Sequence, residues 1–314
     1  LPYTKGISST ALVSSQALLG TTPENRLKKL KRSLVAKPLL RFIETHSPIS
    51  AIIAENIELR TKNELKYFDG FWSSSLTDAT KMGKPDIEAL DISERLNNIN
   101  NIFEVTTKPL IMDVDTGGQI EHLKLNVKSM ERLGISAIIM EDKTGLKKNS
   151  LLGKDTKQTQ EDVKIFCEKI KAANTNKINK EFMIIARIES LILRKGMKDA
   201  MNRAINYIES GADGIMIHSR KNNPKEVFEF SKKFRSTYKS IPLICIPTTY
   251  NKVREKDLIR NGFNIVIYAN HLFRAAYPAM VKTAHSILKH GRSKEIDKSL
   301  IGIKEILELI PGTK

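Results

Sequence analysis

Cysteine is scarce: the 314 residues hold two, Cys167 and Cys245. They stand far apart and alone, so neither a disulfide framework nor a thiolate zinc site is available. Long apolar runs are also missing, and none reaches the roughly 18 residues that span a bilayer. Acids are the minority charge, 35 Asp+Glu against 52 Lys+Arg, which leaves a formal net charge of +17. Such an excess points first to nucleic acid or an anionic membrane surface. The aromatics that would support that reading do not interleave with the basic residues. The one dense basic run, Arg26–Arg32, carries Leu27, Leu30 and Leu34 at helical spacing and reads as an amphipathic helix with a solvated face. Elsewhere Lys and Arg are scattered beside acids, as in Glu161–Lys171. No nucleic-acid signature follows, so neither nucleic acid nor membrane is expected as a partner, and a cytoplasmic location is expected.

What is present is the composition of a globular protein, 40% hydrophobic and 28% charged, in a chain long enough for a large core. Residues 1–24 are rich in Ser and Thr, have little periodic hydrophobicity and read as a poorly ordered lead-in or linker. Their few acids and several hydroxyls echo a transit peptide too weakly to assign one. The remainder, 25–314, reads as one catalytic domain with a C-terminal helical extension. Short apolar runs occur at Leu39–Glu44, Phe68–Trp72, Pro109–Met112, Ala137–Met140, Phe182–Ala186, Gly214–Ile217, Leu243–Ile246 and Ile265–Tyr268. Their length and content make them buried strands. Helical patterns lie between them, including Glu121–Leu133, Thr159–Ala173, Met197–Glu209, Pro224–Phe234 and Phe273–Lys289. This alternation predicts an α/β fold with a parallel sheet, and eight strands fit a single (β/α)8 TIM-type barrel.

In such a barrel the site lies at the C-terminal ends of the strands. Those ends read Glu44-Thr-His46-Ser47, Trp72-Ser-Ser74-Ser75-Leu76, Asp113-Val-Asp115-Thr-Gly, Glu141-Asp142-Lys143, Arg187-Ile-Glu189, His218-Ser219-Arg220, Pro247-Thr248-Thr249 and Asn270-His271. Polar residues scattered for structural reasons would appear at strand starts as well. Asp113 and Asp115, two apart, are expected to share a strand face, and Glu141 and Asp142 stand at the next strand end. Converging carboxylates repel unless a hard cation sits among them, which suits Mg²⁺ or Mn²⁺. Asp115-Thr-Gly-Gly also reads as a plain turn or helix cap. Lys147, Arg187, His218 and Ser219 are expected to face the cation and to hold a phosphoryl group. The amides of Ser74–Leu76 form a nest for a carboxylate or phosphate. The residues therefore describe a small phosphorylated or dicarboxylate substrate.

The segment Glu141-Asp-Lys-Thr-Gly-Leu-Lys147-Lys-Asn149-Ser150 is EDK, five residues, then NS. It resembles the signature of the phosphoenolpyruvate mutase family, within the isocitrate lyase superfamily. Trp72-x-Ser-x-Leu76, Gly83-x-Pro-Asp86, Asp113-x-Asp115-Thr-Gly, Ala186-Arg187-Ile-Glu189, Ile217-His218-Ser219, Pro247-Thr248 and Ala269-Asn270-His271 follow in matching order. EDK-x5-NS is the specific element, whereas the DxDTG element is shared more widely in the superfamily.

The resemblance implies the interconversion of phosphoenolpyruvate and phosphonopyruvate in phosphonate biosynthesis. It implies that Asp113 binds Mg²⁺ directly, with Asp86, Asp115 and Glu141 acting mostly through its waters. Trp72, Ser74, Ser75, Leu76, Ser150 and Ser219 would bind substrate, and Asn149, Arg187 and His218 would grip the phosphoryl group. Lys147 would close the site from a loop. Transfer through a loose metaphosphate-like state and transfer through a covalent Asp86 intermediate both remain open. A homotetramer of helix-swapped dimers and coupling to a phosphonopyruvate decarboxylase are further implications.

Two features depart from the family pattern. Ser75 stands where the mutases have glycine, which would crowd the nest unless φ is negative. Residues 1–24 match nothing in the family. A lyase reading needs a cysteine on the loop Thr144–Ser150, which has none. Phosphonopyruvate hydrolase remains the near alternative, and a catalytically dead basic nucleic-acid-binding barrel the remote one.

Overall fold

The structure, a computed structural model, describes residues 21–62, 64–145, 147–151 and 157–310. The expected lead-in lies outside the described residues over 1–20. Its last two positions belong instead to helix α1, Pro23–Ala36, which starts where Thr22 caps it and Pro23 takes the first turn.

Eight parallel strands close a barrel in the order β1 (Leu40–Glu44), β4 (Gly70–Ser73), β5 (Leu110–Asp113), β6 (Ala137–Glu141), β9 (Met183–Ile188), β10 (Gly214–Ile217), β11 (Leu243–Cys245) and β12 (Ile265–Tyr268). These are the eight expected runs, each displaced by at most two residues. Two small hairpins lie outside the barrel, β2 (Glu58–Arg60) with β3 (Leu65–Tyr67) and β7 (Lys143–Thr144) with β8 (Thr159–Gln160). The β7–β8 pairing corrects one expectation. Thr159 opens no helix; α6 runs Val163–Asn176, because Asp162 accepts from the Lys164 and Ile165 N–H groups and sets its start.

Helices α5 (Ile120–Leu133), α7 (Gly196–Glu209), α8 (Lys225–Thr237) and α10 (His271–His290) occupy the remaining expected stretches. The described residues add α2 (Pro48–Asn56), α3 (Ser75–Lys81), α4 (Ile92–Glu104), α9 (Glu255–Arg260) and α11 (Ile303–Glu308).

Strand alternation splits the apolar residues into two cores. Leu40, Phe42, Trp72, Ile111, Ala137, Ile139, Met183, Ile185, Met216, Ile244, Ile265 and Ile267 fill the barrel interior, with Leu30 of α1 packed among them. Intervening residues such as Ile43, Met112, Ile138, Ile184 and Ile217 pack against the helices. The same parity carries beyond the apolar stretch. Stepping by two from Ile111, Ile139, Ile185 and Met216 reaches Asp113, Glu141, Arg187 and His218.

Candidate active site

Those four residues meet Trp72, Ser74, Ser75, Leu76, Asp86, Lys147, Asn149 and Ser150 in one cleft at the C-terminal mouth of the barrel. At the ends of β5, β6, β9 and β10 the site residues with inward parity are in the cleft or beside it, and the two with outward parity, Ser219 and Asp142, are not. Ser219 follows Ile217 outward, donates to Glu226 and accepts from the Lys221 N–H, away from the cleft. Asp142 is likewise turned outward, accepting from Arg203 (3.1 Å), Tyr207 (2.8 Å) and the Glu189 N–H (2.9 Å). Ser219 therefore does not line the cleft, and Asp142 does not stand with the other carboxylates. Burial pushes Asp142 up to about 7 against the pull of Arg203 and its hydrogen-bond donors.

Asp115 reaches the site by another route than strand alternation. Strand β5 ends at Asp113, and Asp115 has φ of 54°, a left-handed turn that returns its carboxylate to the cleft. Its own N–H donates to Asp113 Oδ1 at 3.2 Å. Ser75 opens α3 behind its N-cap Ser74, in helical backbone with negative φ, so the expected crowding does not arise. Its hydroxyl donates to Asp113 Oδ2 at 2.6 Å.

The loop after β6 reaches back over the mouth. Lys147 Nζ meets Asp86 Oδ1 at 2.6 Å, contacts Asp115 and donates to the Ser75 hydroxyl. Asn149 Nδ2 donates to Asp86 Oδ2 at 3.0 Å. Ser150 Oγ donates to Glu189 at 2.5 Å and accepts from Arg187 at 2.6 Å and Lys143 at 2.9 Å. Although burial opposes it, the ring of Asp115, Asp113, Glu141 and Asp86 raises Lys147, which stays an ammonium.

Two residues outside the expected site organise it. Glu189, buried, receives Arg187 Nε at 2.7 Å and lies 3.2 Å from His218 Nδ1 and 3.7 Å from Lys143 Nζ. Burial works against its charge, but Arg187, His218 and Lys143 hold it well below the usual carboxylate range. Arg187 NH2 is 2.9 Å from His218 Nδ1. Nδ1 thus lies between a guanidinium that can only donate and the Glu189 carboxylate, 3.2 Å away, that can only accept, and the ring's tautomer decides which of the two it pairs with. Burial and Arg187 lower the His218 pKa, in keeping with a neutral ring. Arg95, the second organiser, is buried on α4. It pairs with Asp78 at 3.1 Å and donates to the Asp113 carbonyl at 2.5 Å. Glu189 was legible in the Arg-Ile-Glu spacing; Arg95 sits in an ordinary amphipathic helix and gave no signal.

The expected cation site needs qualification. Among the described residues, no three His, Cys, Asp or Glu side chains are arranged to encage an ion by themselves. The Lys147 ammonium stands between the carboxylates instead. Their chemistry nevertheless suits a hard cation. Both Glu141 oxygens are buried with no hydrogen-bond partner, although Lys143 and Arg187 approach to 3.2 Å each. Burial raises Glu141 to about 7 despite Arg187 and Lys143, and burial raises Asp115 despite Lys147. Asp113 stays below its ordinary value, since Lys147, Arg187, Arg95 and the Ser75 hydroxyl outweigh its burial. Buried carboxylate oxygens without hydrogen-bond partners, both of Glu141 and Oδ1 of Asp115, beside Asp113 fit a divalent ion that keeps several waters, as Mg²⁺ does.

The model of the phosphoenolpyruvate phosphomutase family matches residues 28–288. The phosphonopyruvate hydrolase of Variovorax sp. (strain Pal2) is 34% identical over 282 residues, covering 89% of this chain and 93% of the hydrolase. A crystal structure of the phosphoenolpyruvate phosphomutase from Streptomyces platensis subsp. rosaceus superposes with a TM-score of 0.82 at 31% identity, covering 90% of this chain and 94% of that one. A phosphonopyruvate hydrolase crystallised with oxalate and Mg²⁺ superposes with a TM-score of 0.79 at 33% identity, covering 91% and 94%. The barrel, the carboxylate-lined mouth and these matches together make the chain an enzyme of the phosphoenolpyruvate phosphomutase family.

Proposed function

We propose that the protein is a phosphoenolpyruvate mutase, moving a phosphoryl group between the enol oxygen of phosphoenolpyruvate and C3 of phosphonopyruvate. The observation that carries this reading is the placement of Asn149. It hydrogen-bonds Asp86 over the mouth of the cleft, offering amide donors where a hydrolase needs room for water. The hydrolase is the second reading, favoured by the 34% identity to the Variovorax enzyme.

A divalent cation, Mg²⁺ or Mn²⁺, would be held directly by Asp113 and through water by Asp86, Asp115 and Glu141. Bound there it would neutralise the charge of the carboxylate and enolate oxygens. The amides at the start of α3, Ser74–Leu76, would orient the substrate carboxylate beside Trp72. Arg187, His218 and Asn149 would hold the phosphoryl oxygens through a loose transfer, which needs charge stabilisation more than a nucleophile. Ser150 steadies Arg187 from the loop. Lys147 to Ser150 would keep out the water that protonates the enolate or captures the phosphoryl group.

The domain reading is one catalytic barrel over 25–314. The exposed α10 would be exchanged between protomers in a homotetramer of swapped dimers. Since forming a C–P bond from an O–P bond is unfavourable, a decarboxylase would consume the phosphonopyruvate. Phosphonopyruvate with Mg²⁺ and coupled detection decides the reaction. Phosphoenolpyruvate as product is expected; pyruvate with inorganic phosphate would overturn the mutase reading in favour of the hydrolase.

A further inference from the structure

We propose that Ser75 is a positioning residue that makes the Lys147 ammonium and a divalent cation alternative occupants of the same carboxylate cluster. Four contacts lead there. The Ser75 hydroxyl donates to Asp113 Oδ2 at 2.6 Å and accepts from Lys147 Nζ, so one oxygen joins the loop to the carboxylate best suited to a metal. The same ammonium pairs with Asp86 at 2.6 Å and contacts Asp115. All three carboxylates are buried or nearly so, with side-chain exposure of 9% for Asp86 and 11% for Asp115, so a second cation beside the first would meet little solvent screening. Among the described residues, no set of three His, Cys, Asp or Glu side chains is arranged to hold an ion.

A divalent ion entering this cluster must take Asp113 Oδ2 from the Ser75 hydroxyl and displace Lys147. The released ammonium is then free for an anionic ligand, which orders the two binding events, cation before anion. The inference rests on Asp113 as the metal-binding carboxylate, and it is independent of whether mutase or hydrolase chemistry follows.

Titration calorimetry with MgCl2 alone, on the full chain without substrate, tests it. Lys147→Gln should tighten Mg²⁺ binding by roughly tenfold or more, because a competing charge is removed. Ser75→Ala should tighten it by roughly threefold to tenfold, because Asp113 Oδ2 is no longer occupied by a hydrogen bond. A residue that merely supported the fold would weaken binding when removed. Unchanged or weaker binding in either folded variant, with the wild type binding normally, would overturn the proposal. If one variant fails to fold, as judged by circular dichroism, the other decides alone. Asp113→Ala is the control for the underlying reading. If it leaves Mg²⁺ binding intact, the metal assignment falls, and the competition with it.

Discussion

Asp113 is the point where the strand, the helix α3 and the loop meet. Its carbonyl takes Arg95, its Oδ2 takes Ser75 and its Oδ1 takes the Asp115 N–H. Asp113→Ala is expected to abolish metal-dependent turnover while the protein stays folded. Activity undiminished across a Mg²⁺ titration would remove it from the metal site. Asn149 is expected to behave differently, since Asp86 is the only carboxylate it hydrogen-bonds among the described residues. Asn149→Ala should lower turnover by about 100-fold, the scale of losing one positioned donor, with Mg²⁺ affinity changed by less than about threefold. Turnover equal to that of the wild type would make the loop contact incidental. At this scale the sequence was informative wherever parity governs. Asp113, Glu141, Arg187 and His218 follow from the period of two, and so would the outward turn of Ser219 and Asp142. Asp115 departs from parity, because it is a left-handed residue in contact with Lys147 where an extended strand was expected.

Among the elements, the eight strands were legible because each is a short apolar run in a sheet covered on both faces. Helices α2, α3, α4 and α9 were less so. Two are short, and α3 begins inside the Ser73–Ser75 stretch, which reads as a loop until Ser74 caps it. The cost of missing α4 is that Arg95 goes unseen. Its guanidinium ties α4 to Asp78 on α3 and to the end of β5, and it also reaches Ser73 Oγ at 3.2 Å. Arg95→Met should therefore destabilise the fold by about 3–5 kcal/mol, the usual cost of leaving a buried carboxylate such as Asp78 unpaired. Urea unfolding measures it, and a loss below about 1 kcal/mol would show that the pair is solvated. Asp78→Asn in the Arg95→Met background should recover part of the loss.

For the whole molecule, the net charge of +17 was the least informative feature. The basic helix α1 turns Arg26 inward to the Lys108 and Thr106 carbonyls, at 2.8 and 2.7 Å, and its leucines into the core. Of its remaining basic residues, Lys28, Lys29 and Arg32 are exposed and Lys31 is half-buried. No described helix is long and apolar enough to cross a membrane. At the other end, α10 has no buried residue over 20 positions, with Tyr277 64% and Leu288 85% exposed. An apolar helix left so bare is expected to be covered by another copy of the chain. Light scattering should give four times the protomer mass, and a stable monomer at micromolar concentration would contradict the swapped assembly.

The central claim is that the closed loop directs the phosphoryl group to the enol oxygen of its own substrate and denies it to water. Following phosphonopyruvate and Mg²⁺ by ³¹P NMR in H2¹⁸O tests this most directly. The predicted result is conversion of the phosphonate resonance to that of phosphoenolpyruvate, with no ¹⁸O in the phosphoryl group. Inorganic phosphate carrying one ¹⁸O would show that water enters the site and would contradict it.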